Sequence, residues 1–181
     1  MVLVVHENRG LNPHIEDIAR RLALDNFIAV APDALFPLGG YPGDEDKPRE
    51  LFAKLDQAKT GEDFVTAAAY ALSITGGNGK LGCAGFCCGG GTVNPLATRV
   101  PGLLAGAPFY GAPAPRDRAS RINAAWPAFE VALKSAGVRH AAFKYADTQH
   151  GFNNDTTPRF DAAAAQLAWA RTLALFDRTP R

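Results

Sequence analysis

The stretch KLGCAGFCCGGG, residues 80–91, runs two neighbouring cysteines into a cluster of glycines, and its reading decides the fold. KLGCAGF, Lys80 to Phe86, has the composition of a short buried strand, and a helix is expected to begin just after Cys87. Gly85-Phe86-Cys87-Cys88-Gly89 then has the spacing G-x-nucleophile-x-G of an elbow between strand and helix, with cysteine at the nucleophile position. A turn that sharp needs small residues two before and two after its apex, or their side chains collide. It lifts the Cys87 sulfur above the sheet and leaves the Cys88 amide where an oxyanion would develop, at a helix N-terminus. The same helix end lowers a thiol's pKa, and the thiolate is the reactive form.

Rival readings of the motif fail on spacing. A dinucleotide fingerprint needs G-x-G-x-x-G opening the first strand–helix unit, and a phosphate loop needs Gly-Lys-Ser/Thr; neither is present. Adjacent cysteines make a poor zinc corner without a second pair, so no metal is expected. An inert buried thiol is the plain alternative for any cysteine. Only Cys87 has glycines at both required offsets, and Cys83, inside the strand, reads as core.

Outward from the elbow, strands alternate with helices. Val2 to Val5 and FIAVAPDAL (27–35) are strand patterns, separated by the helical stripe of PHIEDIARRLALDN (13–26). A Pro- and Gly-rich loop follows, then helical patterns over about 49–57 and 62–74. GLLAGAPFYG (102–111) is a fourth strand, NAAWPAFEVALKSAG (123–137) a helix, RHAAFKYA (139–146) a fifth strand and RFDAAAAQLAWARTLALF (159–176) a closing helix. Such alternation implies an α/β fold with a mostly parallel sheet and helices on both faces. Near-continuous apolar strands agree, because they are buried on both sides. Chemistry in open α/β sheets collects at the strands' carboxyl ends. Those ends carry His6-Glu7-Asn8, Cys87, Phe109-Tyr110 and the loop holding His150.

A chain of 181 residues that is 47% hydrophobic can bury one core, so residues 1–181 read as a single domain. Nineteen basic against eighteen acidic residues leave a net charge of +1, which offers no basic face for nucleic acid. No apolar stretch reaches the length of a membrane span. Three cysteines make no disulfide framework, and no signal peptide precedes Val2, so a reducing, cytoplasmic setting is expected.

A cysteine nucleophile needs a base, and His150 follows the nucleophile in chain order after a strand, as in elbow hydrolases. His14 and His140 read as structural, and His6 is left open.

The segments VVHENRGLNPHIEDIARRLA, APDALFPLGGYPGDED, GFCCGGG, PFYG, RINAAWPAFEVALKSAGV and TQHGFNNDTTPRFDAAAAQLAW together resemble the dienelactone hydrolase family, the carboxymethylenebutenolidases. They occur in the family's order and span most of the chain. The resemblance implies an α/β-hydrolase fold and hydrolysis of enol-lactones or small esters. It implies a Cys-His-Asp triad, an acyl-thioester intermediate and no metal or organic cofactor. Cys87 resembles the nucleophile, His150 the base, and Glu7 the glutamate that contacts the resting thiol. The amides of Asn8 and Cys88 resemble the oxyanion hole. Arg9, Tyr110 and Phe152 are candidates for the substrate pocket.

Two departures stand out. The family carries its aspartate after a further strand between PFYG and the RIN helix, whereas here only APAPRDRAS (112–120) joins them, with two prolines and no apolar run. The sheet is therefore expected to be reduced in strand number, at this point and before Val2. If the fifth strand took the vacant slot, His150 would shift by about one strand spacing, roughly 4.8 Å. The expectation is a re-seated loop with Asp117 or Asp147 as the acid, or a disabled site. The second departure is that no arginine immediately follows His150, leaving Arg9 as the basic residue at the pocket lip. A small neutral ester is thus as good a candidate as dienelactone. A ligand- or partner-binding relic and a Cys87–Cys88 redox sensor are the competing functions. The exposed sheet edge would permit a homo-oligomer.

Overall fold

The computed structural model describes residues 1–44, 46–111 and 119–179. Four strands, β1 (Val2–Val5), β2 (Ala29–Val30), β3 (Leu81–Phe86) and β4 (Leu103–Phe109), form one all-parallel sheet in the order β2-β1-β3-β4. The helices are α1 (Pro13–Leu24), α2 (Lys47–Ala53), α3 (Gln57–Ser73), α4 (Cys88–Arg99), α5 (Ala119–Ser135) and α6 (Ala162–Arg178). This is a reduced α/β-hydrolase-like arrangement, with helices on both faces of a parallel sheet.

The unbroken apolar runs of β1 and β3 are explained by what lies on each side of them. Val2, Val4, Ala84 and Phe86 pack with Ile15, Ile18 and Leu22 of α1 and Ala165, Ala168 and Phe176 of α6. Leu3, Val5, Leu81 and Cys83 face the other way, against Phe64, Ala68 and Ala71 of α3 and Val93 and Leu96 of α4. Successive strand side chains point to opposite faces, so only a strand covered twice can be apolar throughout. Every residue of β1 and β3 is buried.

The chain runs from β1 out to β2 on one side, then crosses back to place β3 on β1's other side. The topological switch point therefore falls between β1 and β3, where ligands of open α/β sheets bind. The register pairs Val5 with Gly85 and Phe86 with Phe109. Counting on from those pairs, Glu7, Cys87 and Tyr110 leave the sheet side by side.

Caps set several boundaries. The Asn12 side chain accepts from the Ile15 amide and starts α1 at a proline. Asp56 accepts from the amides of Ala58 and Lys59, which starts α3 at Gln57, five residues before the expected helix and through Gly61. The preceding helix accordingly ends at Ala53. Asp161 caps α6 in the same way.

The fifth strand expected at 139–146 is not formed: this segment has no regular structure and joins no sheet. Its aromatic residues bind α6 instead. The Arg171 guanidinium lies 4.0 Å from the centre of the Phe143 ring and donates to the Tyr145 hydroxyl at 3.1 Å. That lateral grip holds the segment in place without a ladder. β4 is left as an edge among the described strands, with Leu104 half exposed. No helix among the described residues is long and apolar enough to cross a membrane.

Candidate active site

Cys87 sits at the apex of the β3–α4 turn with φ 55° and ψ −118°, a left-handed conformation that a cysteine adopts only at a cost of about 1–3 kcal/mol. The turn is over-determined. The Cys87 amide donates to the Phe109 carbonyl at 3.1 Å. A Cβ on Gly85 would collide with the Gly89 carbonyl, and one on Gly89 with the carbonyls of Val5 and His6. A Cβ on Gly90 would lie 2.6 Å from the Phe109 oxygen. The helix thus enters backbone against backbone, and the glycines are there for that approach.

The His150 Nε2 stands 3.2 Å from the Cys87 Sγ. The base has not been displaced by the shortened connection, because 139–146 did not move into the sheet beside β4. The Cys87 thiol is pulled down to about 4: the Cys88 thiol hydrogen-bonds its sulfur, His150 adds a hydrogen bond and a positive charge, and the Cys88 amide donates as well, against the opposing effect of burial. His150 is raised in return, first by its hydrogen bond to Cys87. The Cys88 thiol is pushed up, as the donor to a neighbouring thiolate. Together these shifts favour a thiolate–imidazolium pair.

Glu7 is buried beside the pair, and its carboxylate accepts from the Tyr110 hydroxyl at 3.3 Å and from Asn154 Nδ2 at 3.4 Å. Burial raises its pKa, and the Cys87 charge raises it further. Tyr110, at φ 37°, packs its ring against His150 with centroids 5.0 Å apart. Phe152 is buried behind Tyr110 at 5.6 Å and belongs to the core cluster. Asn8 and Arg9 are half-buried in the turn after β1. That turn is held by Asp33, whose carboxylate accepts from the amides of Leu11, Leu35 and Tyr41. His6 is structural: buried, it accepts from the Ala34 amide through Nε2 at 3.0 Å.

The acid is a different matter. The buried Nδ1 of His150 has no hydrogen-bond partner among the described residues. Asp147, one of two stand-ins the sequence offered, is an exposed turn residue at φ 59° with no bond to His150. Asp117 lies outside the described residues. Among the described residues no cluster of three or more His, Cys, Asp or Glu is placed to hold a metal ion.

Two site residues were not singled out from the sequence. Asn154 tethers the His150 loop to Glu7. Arg159 is a further basic residue beside Arg9: its guanidinium lies about 3.5 Å from where a Cβ on Gly151 would stand, and its charge acts on both His150 and Tyr110. Arg159 is nine residues beyond the histidine, and a chain of tight turns at 149–161 folds it back.

The dienelactone hydrolase family model matches residues 1–129 and 121–179. The chain belongs to the dienelactone hydrolase family. It is thereby a member of a family of hydrolases, and the relatives it matches carry the corresponding names. The "Putative carboxymethylenebutenolidase" of Escherichia coli (strain K12) is 30% identical over 207 positions, covering 98% of this chain and 76% of that protein. Those 207 aligned positions exceed the chain's 181 residues, so the relative carries residues that this chain lacks. The E. coli "Putative hydrolase fragment YghX" is 64% identical over 55 residues, which are 30% of this chain and 47% of that one; this match thus spans under half of the relative. Among solved structures, the "Putative Dienelactone Hydrolase" from Klebsiella pneumoniae subsp. pneumoniae superposes with a TM-score of 0.83 at 26% identity, covering 98% and 86% of the two chains. The dienelactone hydrolase-like promiscuous phosphotriesterase P91 from metagenomic libraries follows at 0.75 and 25%, covering 98% and 85%.

Proposed function

We propose that this family member hydrolyses a small ester or lactone through a Cys87 thiolate, with His150 as proton carrier and an acyl-thioester intermediate. The single observation that carries the reading is the 3.2 Å contact between Cys87 Sγ and His150 Nε2 at the switch point of the sheet. The thiolate attacks the carbonyl carbon, and the oxyanion that forms takes hydrogen bonds from the amides of Cys88 and Asn8. The carbonyl reforms as the carbon–oxygen bond to the leaving group breaks, and the His150 imidazolium gives its proton to the departing alkoxide. Neutral His150 then takes a proton from water, which attacks the thioester and releases the acid and the thiolate. Glu7, with its raised pKa, is placed to hold or release a proton next to the resting thiol.

The test is turnover of short-chain aryl esters beside an anionic enol-lactone and a phosphotriester, the last because P91 is named a promiscuous phosphotriesterase. The expected result is ester or lactone turnover abolished by iodoacetamide and reduced at least about 10³-fold by Cys87→Ser. Turnover indifferent to both would overturn the reading. A second reading, a ligand- or partner-binding protein on the hydrolase fold, is favoured by the His150 Nδ1, which has no hydrogen-bond partner among the described residues. It expects alkylation of Cys87 but no turnover of any of the three substrates.

A further inference from the structure

The loop that presents His150 is tied to the rest of the molecule at a point the proposed chemistry does not use. Asp155, five residues beyond the base, reaches α1: its Oδ2 accepts from Arg21 Nη2 at 2.8 Å and its Oδ1 stands 3.4 Å from His14 Nδ1. Arg21 is braced on its own helix by Asp17. His14 is 1% exposed, and neither ring nitrogen meets a hydrogen bond of full geometry among the described residues. Burial lowers its pKa and favours the neutral imidazole, whose Nδ1–H tautomer is the one that faces the Asp155 carboxylate. The edge of the same ring packs on Phe86, the residue immediately before the nucleophile, at 6.0 Å between centroids. One imidazole therefore touches both the nucleophile's strand and the base's loop.

From this geometry we infer that Asp155, gripped by His14 and Arg21 of α1, is a positioning residue that sets the distance between His150 and Cys87. An exposed Arg–Asp pair on its own contributes little. Here docking also sets a carboxylate oxygen 3.4 Å from a buried imidazole nitrogen, so loop position and core packing are linked. Tight turns run without a break from His150 to Asp155: Phe152 N–H donates to the Gln149 carbonyl, Asn154 N–H to the Gly151 carbonyl and Thr157 N–H to the Asn154 carbonyl. A shift at Asp155 is carried back to the imidazole rather than absorbed. Asn154, between the two, adds its own tether to Glu7.

The inference rests on the Cys87–His150 pair proposed above. The experiment separates the two by following the pH dependence of iodoacetamide alkylation of Cys87 in the full chain. The groups facing that thiol are His150 from the loop, Cys88 on α4, Glu7 after β1 and Tyr110 after β4; none of them is altered. In the wild type the midpoint of alkylation lies well below that of a free thiol. In Asp155→Ala it rises by about one pH unit or more as the His150 contact loosens. Ester turnover falls about tenfold in kcat, with KM within about twofold. Arg21→Gln, on the outer side of the same contact, moves both readouts in the same direction by less, and serves if Asp155→Ala does not fold. Thermal denaturation of each variant identifies purely structural damage, which lowers the melting temperature without moving the midpoint of the folded fraction. A midpoint unchanged in both folded variants would overturn the inference. A wild-type midpoint equal to that of a free thiol would instead remove the dyad itself.

Discussion

The nucleophile and the base are delivered to one contact by regions built on different principles. Cys87 stands on β3, whose residues are all buried and whose exit is fixed by carbonyl oxygens closing on Gly85, Gly89 and Gly90. His150 stands beyond 138–146, an irregular segment outside the sheet, mostly exposed and held by side chains: Arg171 on Phe143 and Tyr145, Asn154 on Glu7, Asp155 on His14 and Arg21. The first region has no adjustable part, since moving the thiol means moving backbone through backbone. The second is a set of tethers, each replaceable without rebuilding the sheet. A connection shortened after Gly111 therefore alters the route to the base while the 3.2 Å contact persists.

Substitutions can break this contrast at either end. The largest effect is expected from Cys87→Ala, which removes the nucleophile: acylation by an activated ester vanishes, at least about 10³-fold down, while the melting temperature stays within a few degrees. His150→Ala comes next, lowering turnover by about 10²–10⁴-fold. It also removes a hydrogen bond and a positive charge that hold the Cys87 pKa down, so the thiolate fraction at pH 6 falls. Iodoacetamide alkylation at pH 6 should slow while alkylation near pH 9 stays fast. Gly89→Ala tests the rigid region: its new Cβ meets the carbonyls of Val5 and His6, and a loss of about 1–3 kcal/mol is expected in urea titrations. Arg171→Ala tests the tethered region, with a smaller loss of stability, about 0.5–1 kcal/mol from the Phe143 contact, read by the same titration. Val131→Ser, at a position 64% exposed on α5, sets the floor and should stay within about 0.5 kcal/mol.

What could be read from the sequence follows the same division. The elbow was legible because its requirement is local: two glycines at fixed offsets from Cys87 and an apolar strand ahead of them. β1 and β3 were legible because burial on both faces leaves no polar position in VLVV or LGCAGF. RHAAFKYA misled because its apolar spacing fits a strand, while its aromatic side chains answer to Arg171, 25 or more residues away. FIAVAPDAL pairs only through Ala29 and Val30, against Val2 and Leu3 of the four residues of β1. The start of α3 was missed because Asp56 caps it ahead of Gly61, which reads as a break. Asn154, Asp155 and Arg159 carried no signal in spacing, because their roles depend on turns that bring them back to Glu7, α1 and Gly151. Asp117, one of the two candidate acids, lies outside the described residues.

The most direct test of the account is the mass of the intact protein after brief mixing with an activated ester between pH 6 and 9. The account predicts a single acyl adduct, located on Cys87 by peptide mapping, lost in Cys87→Ala and decaying as acid is released. No adduct at any pH in that range, or an adduct that persists in Cys87→Ala, would contradict it.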